Sequence, residues 1–258
     1  MNFIDYYFRN APEDFKFKIF GLTHIFILTF TFLGTYFIYK NRNYLKEHDN
    51  LYKIILKVIA LLVLFEQVSF LYFYFFKTNY GLEEGLPLFT CRIALYTTFF
   101  GILFKSKKLK GITTYYGIIG GILALIYPDI YSYAFPHVLY VDFFTEHILI
   151  LWAACLFVFV EDFEFSKKQF NFALAFTNVF LVVSLIVDQV VDANYAYLLR
   201  APFAIQFFQS LPYPVFVAIT FAAYNFLVWV VQMFCNYFKF KIITTRKTGG
   251  LITGYKPK

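Results

Sequence analysis

Apolar residues in this chain come in blocks of roughly twenty, separated by short polar or basic turns. The blocks lie at roughly 19–39, 54–76, 87–104, 111–127, 143–160, 170–191 and 213–234. A helix needs about 20 apolar residues to cross a hydrocarbon core about 30 Å thick. Composition agrees: 60% of the 258 residues are hydrophobic and 15% are charged, where a soluble domain is about a quarter charged. The expected fold is all-α, a polytopic membrane protein of one domain, residues 1–258, built as a bundle of seven transmembrane helices. No internal repeat is visible, which counts against the common repeat-built transporters.

Seven spans put the termini on opposite sides, and lysine and arginine set the orientation. One side holds Lys40, Arg42, Lys46, Lys53 and Lys57, then Lys105, Lys107, Lys108 and Lys110, then Lys167, Lys168 and a basic tail from Lys239 to Lys258. The other holds Arg9, Lys16, Lys18, Lys77 and Arg200. The N-terminus is expected outside and the C-terminus in the cytoplasm, in the cell membrane. The net charge of +7 then reads as loop charge, with no nucleic-acid partner. The first residues are acidic and aromatic rather than basic, so no cleavable signal peptide is expected. Asn10-Ala11-Pro12-Glu13-Asp14 predicts a helix start outside the bilayer, and Ser166-Lys167-Lys168-Gln169 a capping box. Gly117 and Gly121 share a helix face and permit a close helix contact.

An ionisable residue inside a span is costly and marks a functional site by default. His24, Cys91, Arg92, Glu146 and His147 each sit one to one and a half turns into an inward-running span. At about 1.5 Å per residue they share one depth below the outer face. Glu66 lies somewhat deeper, and Asp188 and Asn194 lie at the outer end. Such convergence predicts an outward-facing polar pocket. Each residue also has an inert reading. His24 alone on an apolar helix is more often an interhelical bond than a ligand. Glu66 is either the counter-ion of Arg92, which we favour, or a protonated acid donating a hydrogen bond. Glu146 and His147 point about 100° apart, so one of them heads into a given pocket. Asn178 and Asn225 read as helix-to-helix bonds.

Cys91 beside Arg92 is a nucleophile in a cationic setting or a small buried hydrophobe. Paired with His147 it makes a nucleophile and base. A zinc site from His24, Cys91 and His147 is possible in ligand type. Lone residues on separate helices make it the weaker reading, and we expect neither metal nor cofactor. The three cysteines, Cys91, Cys155 and Cys235, form no disulfide framework. Cys155 and Cys235 read as inert, with Cys235 near enough the inner surface to accept an acyl chain.

Several pieces carry a resemblance. They are His24 in the first span, Leu86-Pro87-Leu88-Phe89-Thr90-Cys91 opening the third, Gly120-Gly121-Ile122-Leu123-Ala124-Leu125 with Pro128-Asp129 closing the fourth, His147 in the fifth, and Asn194-Tyr195-Ala196-Tyr197-Leu198 after the sixth. In that order they resemble the YwaF-type integral membrane proteins of bacteria, which look related to the eukaryotic transmembrane-protein-164 acyltransferases. The resemblance implies a compact bundle with a membrane-buried cysteine–histidine pair and, in the eukaryotic branch, acyl transfer on phospholipids. Carried over, Cys91 is the acyl-accepting nucleophile, His147 its base and His24 a pocket residue. Phe89 stands where the family pattern has a histidine two residues before the cysteine, which removes a second base or donor.

The expected function is therefore a cysteine-dependent acyltransferase or acyl hydrolase acting on phospholipid acyl chains. Cys91 and His147 would be catalytic, and His24, Glu66, Arg92, Glu146, Asn194 and Tyr195 would line the substrate pocket, with Arg92 available to a lipid phosphate. The alternative is a non-enzymatic lipid or small-solute binding or transport protein using the same pocket. A heptahelical receptor fits the span count but not the short loops, and topology alone is weak evidence of function.

Overall fold

The computed structural model describes residues 2–11 and 13–251, with side chains through 237. Pro12 of the expected helix start and the side chains of the basic tail lie outside the described residues.

Among the described residues the regular structure is entirely helical, with no strand. In order the helices are α1 (Phe3–Tyr7), α2 (Leu22–Lys40), α3 (Arg42–Glu47), α4 (Asp49–Phe76), α5 (Gly81–Glu84), α6 (Thr90–Leu103), α7 (Lys107–Ile126), α8 (Val138–Phe159), α9 (Lys167–Val191), α10 (Ile205–Gln209) and α11 (Tyr213–Leu251), with a 3-10 turn over Tyr195–Tyr197 between α9 and α10. Six of them, α2, α4, α7, α8, α9 and α11, are long and apolar enough to cross a membrane. The protein is a multi-pass membrane protein. The block expected over 87–104 forms the 14-residue helix α6. At about 1.5 Å per residue it is about 21 Å long, short of the hydrocarbon thickness.

The helix expected to begin near Asn10 does not form there. The chain from 14 to 21 is irregular, and Phe20 adopts the left-handed conformation at φ 58°, so α2 begins at Leu22. Glu13 has a tertiary partner instead of a helical one. Arg9 donates to both of its carboxylate oxygens, and Ala134 N–H donates to Oε2 at 2.7 Å. Arg9 also reaches the carbonyls of Ala134 and Pro136. The N-terminal segment is thus clamped to the loop between α7 and α8. Ser166 caps α9 by accepting from Gln169 N–H, as the sequence predicts.

Helices α7 and α8 are the centre of the molecule. Both are mostly buried, whereas α2 and α11 expose most of their apolar surface. Exposed Phe26, Phe37, Phe65, Val179, Val190 and Phe226 face outward from the bundle, as side chains of lipid-embedded helices do. Glycines set the α7–α8 spacing. A Cβ at Gly117 would lie 2.5 Å from the Ile150 carbonyl oxygen, and one at Gly121 would lie 3.0 Å from that of His147. The bare backbone of α7 therefore fixes how close α8, and with it residues 146 and 147, comes to the rest of the bundle. Asn178 and Asn225 bond each other between α9 and α11, at 2.9 and 3.1 Å, as expected of helix-to-helix contacts.

Candidate functional site: a buried cysteine, histidine and ion cluster

Helix α6 starts late because its lead-in is held by a tight turn and by a side chain from far along the chain. Leu88 N–H turns back to the Leu86 carbonyl at 2.8 Å, and Leu86 N–H donates to the Tyr195 hydroxyl at 2.9 Å, which itself donates to the Leu82 carbonyl at 2.8 Å. Irregular backbone at membrane depth is tolerated when it is buried in protein, and fully buried Tyr195 supplies that burial and its polar partners. Phe89, in extended conformation, precedes the first turn of α6 without a side-chain cap and meets the Tyr195 ring edge-on at 4.9 Å. Cys91 and Arg92 therefore sit in the first helical turn, where backbone N–H groups point along the axis without intrahelical partners.

Arg92 Nη1 pairs with Glu66 Oε1 on α4 and lies 3.1 Å from Glu146 Oε2 on α8. Its guanidinium stacks over Phe70 at 3.5 Å. Gln67 donates to the other Glu66 oxygen. The counter-ion reading of Glu66 is the one this geometry matches. Arg92 is committed to two carboxylates, so a lipid phosphate at this depth would compete with Glu66. The Glu146 contact has ion-pair distance without hydrogen-bond geometry, and Glu146 Oε2 has no hydrogen-bond partner among the described residues, nor has Asp142 Oδ2. Asp142, one turn before Glu146, is within electrostatic reach of Arg92, Glu66 and Glu146. Two buried carboxylates thus pair with one guanidinium, and a third buried acid, Asp142, lies one turn away on α8.

Cys91 Sγ, a carboxylate oxygen of Glu146 and a ring nitrogen of His147 all lie within 4.8 Å of one another. His147 Nδ1 is 2.6 Å from the Phe143 carbonyl. A carbonyl only accepts, so Nδ1 carries the proton and Nε2 keeps its lone pair. A cavity of about 260 Å³ opens beside the group, lined among others by Phe89, Cys91, Arg92, Phe143, Glu146 and Asn194. A larger cavity of about 770 Å³ adjoins it, and both are walled by Glu84, Tyr131 and Leu139. Tyr131 donates to Glu84 Oε2 at 3.1 Å across that shared wall.

The remaining sequence candidates fall into two groups. Asn194 lines the smaller cavity, but its polar atoms bond Leu199 N, Arg200 N and Arg200 O. They hold a loop in which Ala196 and Tyr197 take successive left-handed conformations. Tyr195 acts through the α5–α6 segment. His24 is not brought into the cluster. Its Nδ1 accepts from Phe20 N–H at 2.8 Å and its Nε2 donates to the Leu125 carbonyl at 2.7 Å, so one ring nitrogen holds the lead-in to α2 and the other ties α2 to the end of α7. A zinc site using His24 therefore has no support in this geometry. Asp142 and Phe143 were absent from the sequence candidates. Asp142 was nameable as an acid one turn before Glu146, while the role of a Phe143 carbonyl leaves no trace in residue type.

A multi-pass helical membrane protein with a sulfur, an imidazole and a buried ion cluster beside a cavity is the class these features define. The model of the TMEM164 family matches residues 19–233, and the chain belongs to that family. No curated protein and no solved structure matches it.

Proposed function

We propose that this protein is a membrane-embedded, cysteine-dependent acyl enzyme acting on phospholipid acyl chains. The observation that carries this reading is the approach of Cys91, Glu146 and His147 to within 4.8 Å at a cavity, in a chain of the TMEM164 family. In the proposed reaction His147 Nε2 takes the Cys91 proton. The thiolate then attacks the ester carbonyl, the C–O bond breaks, and His147 returns the proton to the departing lysolipid oxygen. The acyl group rests on Cys91 as a thioester. A lysolipid hydroxyl accepts it in transfer, or water in hydrolysis. The free N–H groups in the first turn of α6 face negative charge favourably, which suits the oxyanion formed beside residue 91. Arg92, held by Glu66, orients the Glu146 carboxylate beside this pair.

The full reading adds seven spans in one domain, with α6 and its lead-in as the third, the N-terminus outside, and the cell membrane as the location. The larger cavity, with Lys77 and Arg200 among its lining, suits a lipid headgroup, leaving the smaller one for the ester. The test is acylation of the purified protein by a phospholipid with a labelled acyl chain. Cys91→Ala abolishes hydroxylamine-sensitive labelling, and His147→Gln slows it by about 100- to 10,000-fold. Labelling and lipid turnover unchanged in folded Cys91→Ala would refute the enzyme and leave the non-reactive binding or transport reading.

A further inference from the structure

We propose that Cys91, Glu146 and His147 form a binding site for a divalent transition-metal ion of the zinc class. The site reuses groups of the acyl chemistry proposed above, but its existence does not depend on that reading.

The donor set fits. Thiolate, carboxylate and imidazole are zinc's ligand types, and three protein ligands with an open fourth position is a recurrent zinc pattern. Bonds of about 2.0–2.3 Å at tetrahedral angles place ligand atoms about 3.3–3.8 Å apart. The three donor atoms here lie within 4.8 Å of one another, so closing on an ion asks for shifts of about 1 Å, within reach of side-chain rotation.

The surroundings fit as well. His147 donates Nδ1–H to the Phe143 carbonyl, which leaves Nε2 as the ring nitrogen with a lone pair to offer an ion. A backbone carbonyl on the far ring nitrogen is the usual orienting partner of a ligating histidine. Glu146 presents Oε1 on the His147 side, 3.4 Å from Nδ1. Arg92 flanks the other oxygen at 3.1 Å, an outer contact that orients the carboxylate without occupying Oε1. That side chain is 4% exposed, and Oε2 has no hydrogen-bond partner among the described residues, so the carboxylate is buried and under-satisfied. The open position faces the cavity that Cys91 and Glu146 line.

On binding, the S–H bond of Cys91 breaks, its proton leaves to solvent through the cavity, and the sulfur and the Nε2 lone pair bond the ion. Neither is then free for an ester, so the metal-bound form is acyl-inactive.

The experiment uses the full chain purified in detergent, stripped with a chelator, and titrated with cobalt(II) and then zinc(II). The expected result is one ion per chain and a thiolate-to-cobalt charge-transfer band. Cys91→Ser removes the band, Cys155→Ser and Cys235→Ser leave it, and His147→Gln or Glu146→Gln weakens binding at least about 100-fold, more than loss of an outer-shell partner does. A second readout needs no variant: zinc slows maleimide labelling of Cys91 at least about tenfold, with labelling of Cys155 unchanged, read by mass spectrometry. Absence of stoichiometric binding and of protection, or a band that survives Cys91→Ser, overturns the proposal. Thioester formation in the stripped protein is scored separately. Thioester without metal binding removes only the metal site, and metal binding without a thioester removes only the enzyme.

Discussion

Removing the positive charge at Arg92 is the most informative perturbation of this structure, because one cation serves several buried acids. The side chains of Arg92, Glu66 and Glu146 are 6%, 3% and 4% exposed. A unit pair about 4 Å apart attracts by about 4 kcal/mol at an effective dielectric near 20. Stranding one partner of a buried pair costs about 3–5 kcal/mol. Arg92→Met keeps the volume and strands Glu66 and Glu146 together, so the loss sits in that range. Glu66→Gln behaves differently. Arg92 keeps Glu146, and the new amide still offers an oxygen to the guanidinium, so the loss stays under about 1.5 kcal/mol. The double variant Arg92→Met/Glu66→Gln recovers at least about 1.5 kcal/mol of the Arg92→Met loss. Thermal unfolding followed by circular dichroism in one detergent checks the order. At about 2–4 °C per kcal/mol for a chain this size, Arg92→Met melts roughly 6–20 °C lower. A melting temperature within about 1 °C of the parent, or a double variant no more stable than Arg92→Met, would refute the reasoning. The carboxylates would then not depend on the guanidinium.

Two further outcomes follow from local geometry. Gly117→Val drives a side chain onto the Ile150 carbonyl, a backbone atom that cannot rotate away, and costs about 1–3 kcal/mol. Gly120→Ala, with nothing within 4 Å of its new Cβ, gains up to about 1 kcal/mol from helix propensity; equal melting temperatures for the two variants would contradict the α7–α8 contact. His137 caps α8 outside the span, with Nδ1 accepting from Leu139 N–H at 3.1 Å and Nε2 donating to the Arg9 carbonyl at 2.8 Å. Burial lowers its pKa from 6.5 to about 4. The unfolded chain then binds the extra proton first, so the stabilisation is full above about 6.5 and is lost as pH falls toward about 4. His137→Asn keeps a capping acceptor and flattens that part of the melting-temperature profile, and a parent profile flat over this window would count against the cap.

Much of this was legible without coordinates. Hydrophobic blocks and charged breaks are local properties, and the cost of putting charge into lipid is paid residue by residue. The sequence alone therefore determined a polytopic helical protein, helix positions within about five residues except that α11 runs on from the expected 234 to Leu251, and the rarity value of Cys91, Arg92, Glu66, Glu146 and His147. Local signals failed where a distant partner outbid them. Asn10–Asp14 reads as a helix start, yet Glu13 goes to Arg9 and the Ala134 backbone. The proline-led 87–104 block starts its helix at Thr90 because Tyr195, more than a hundred residues away, holds Leu86.

What only the tertiary structure decided is which polar groups meet. The sequence leads one to expect His24 at the depth of Cys91, yet it is turned to the backbone of Phe20 and Leu125, while Glu146, on the same helix as His147, joins the sulfur. Depth follows from position along the chain. Meeting depends on how each helix is rotated about its axis and how near its neighbour comes, and in this protein that is set by bare glycine backbone on α7 lying against the carbonyls of Ile150 and His147.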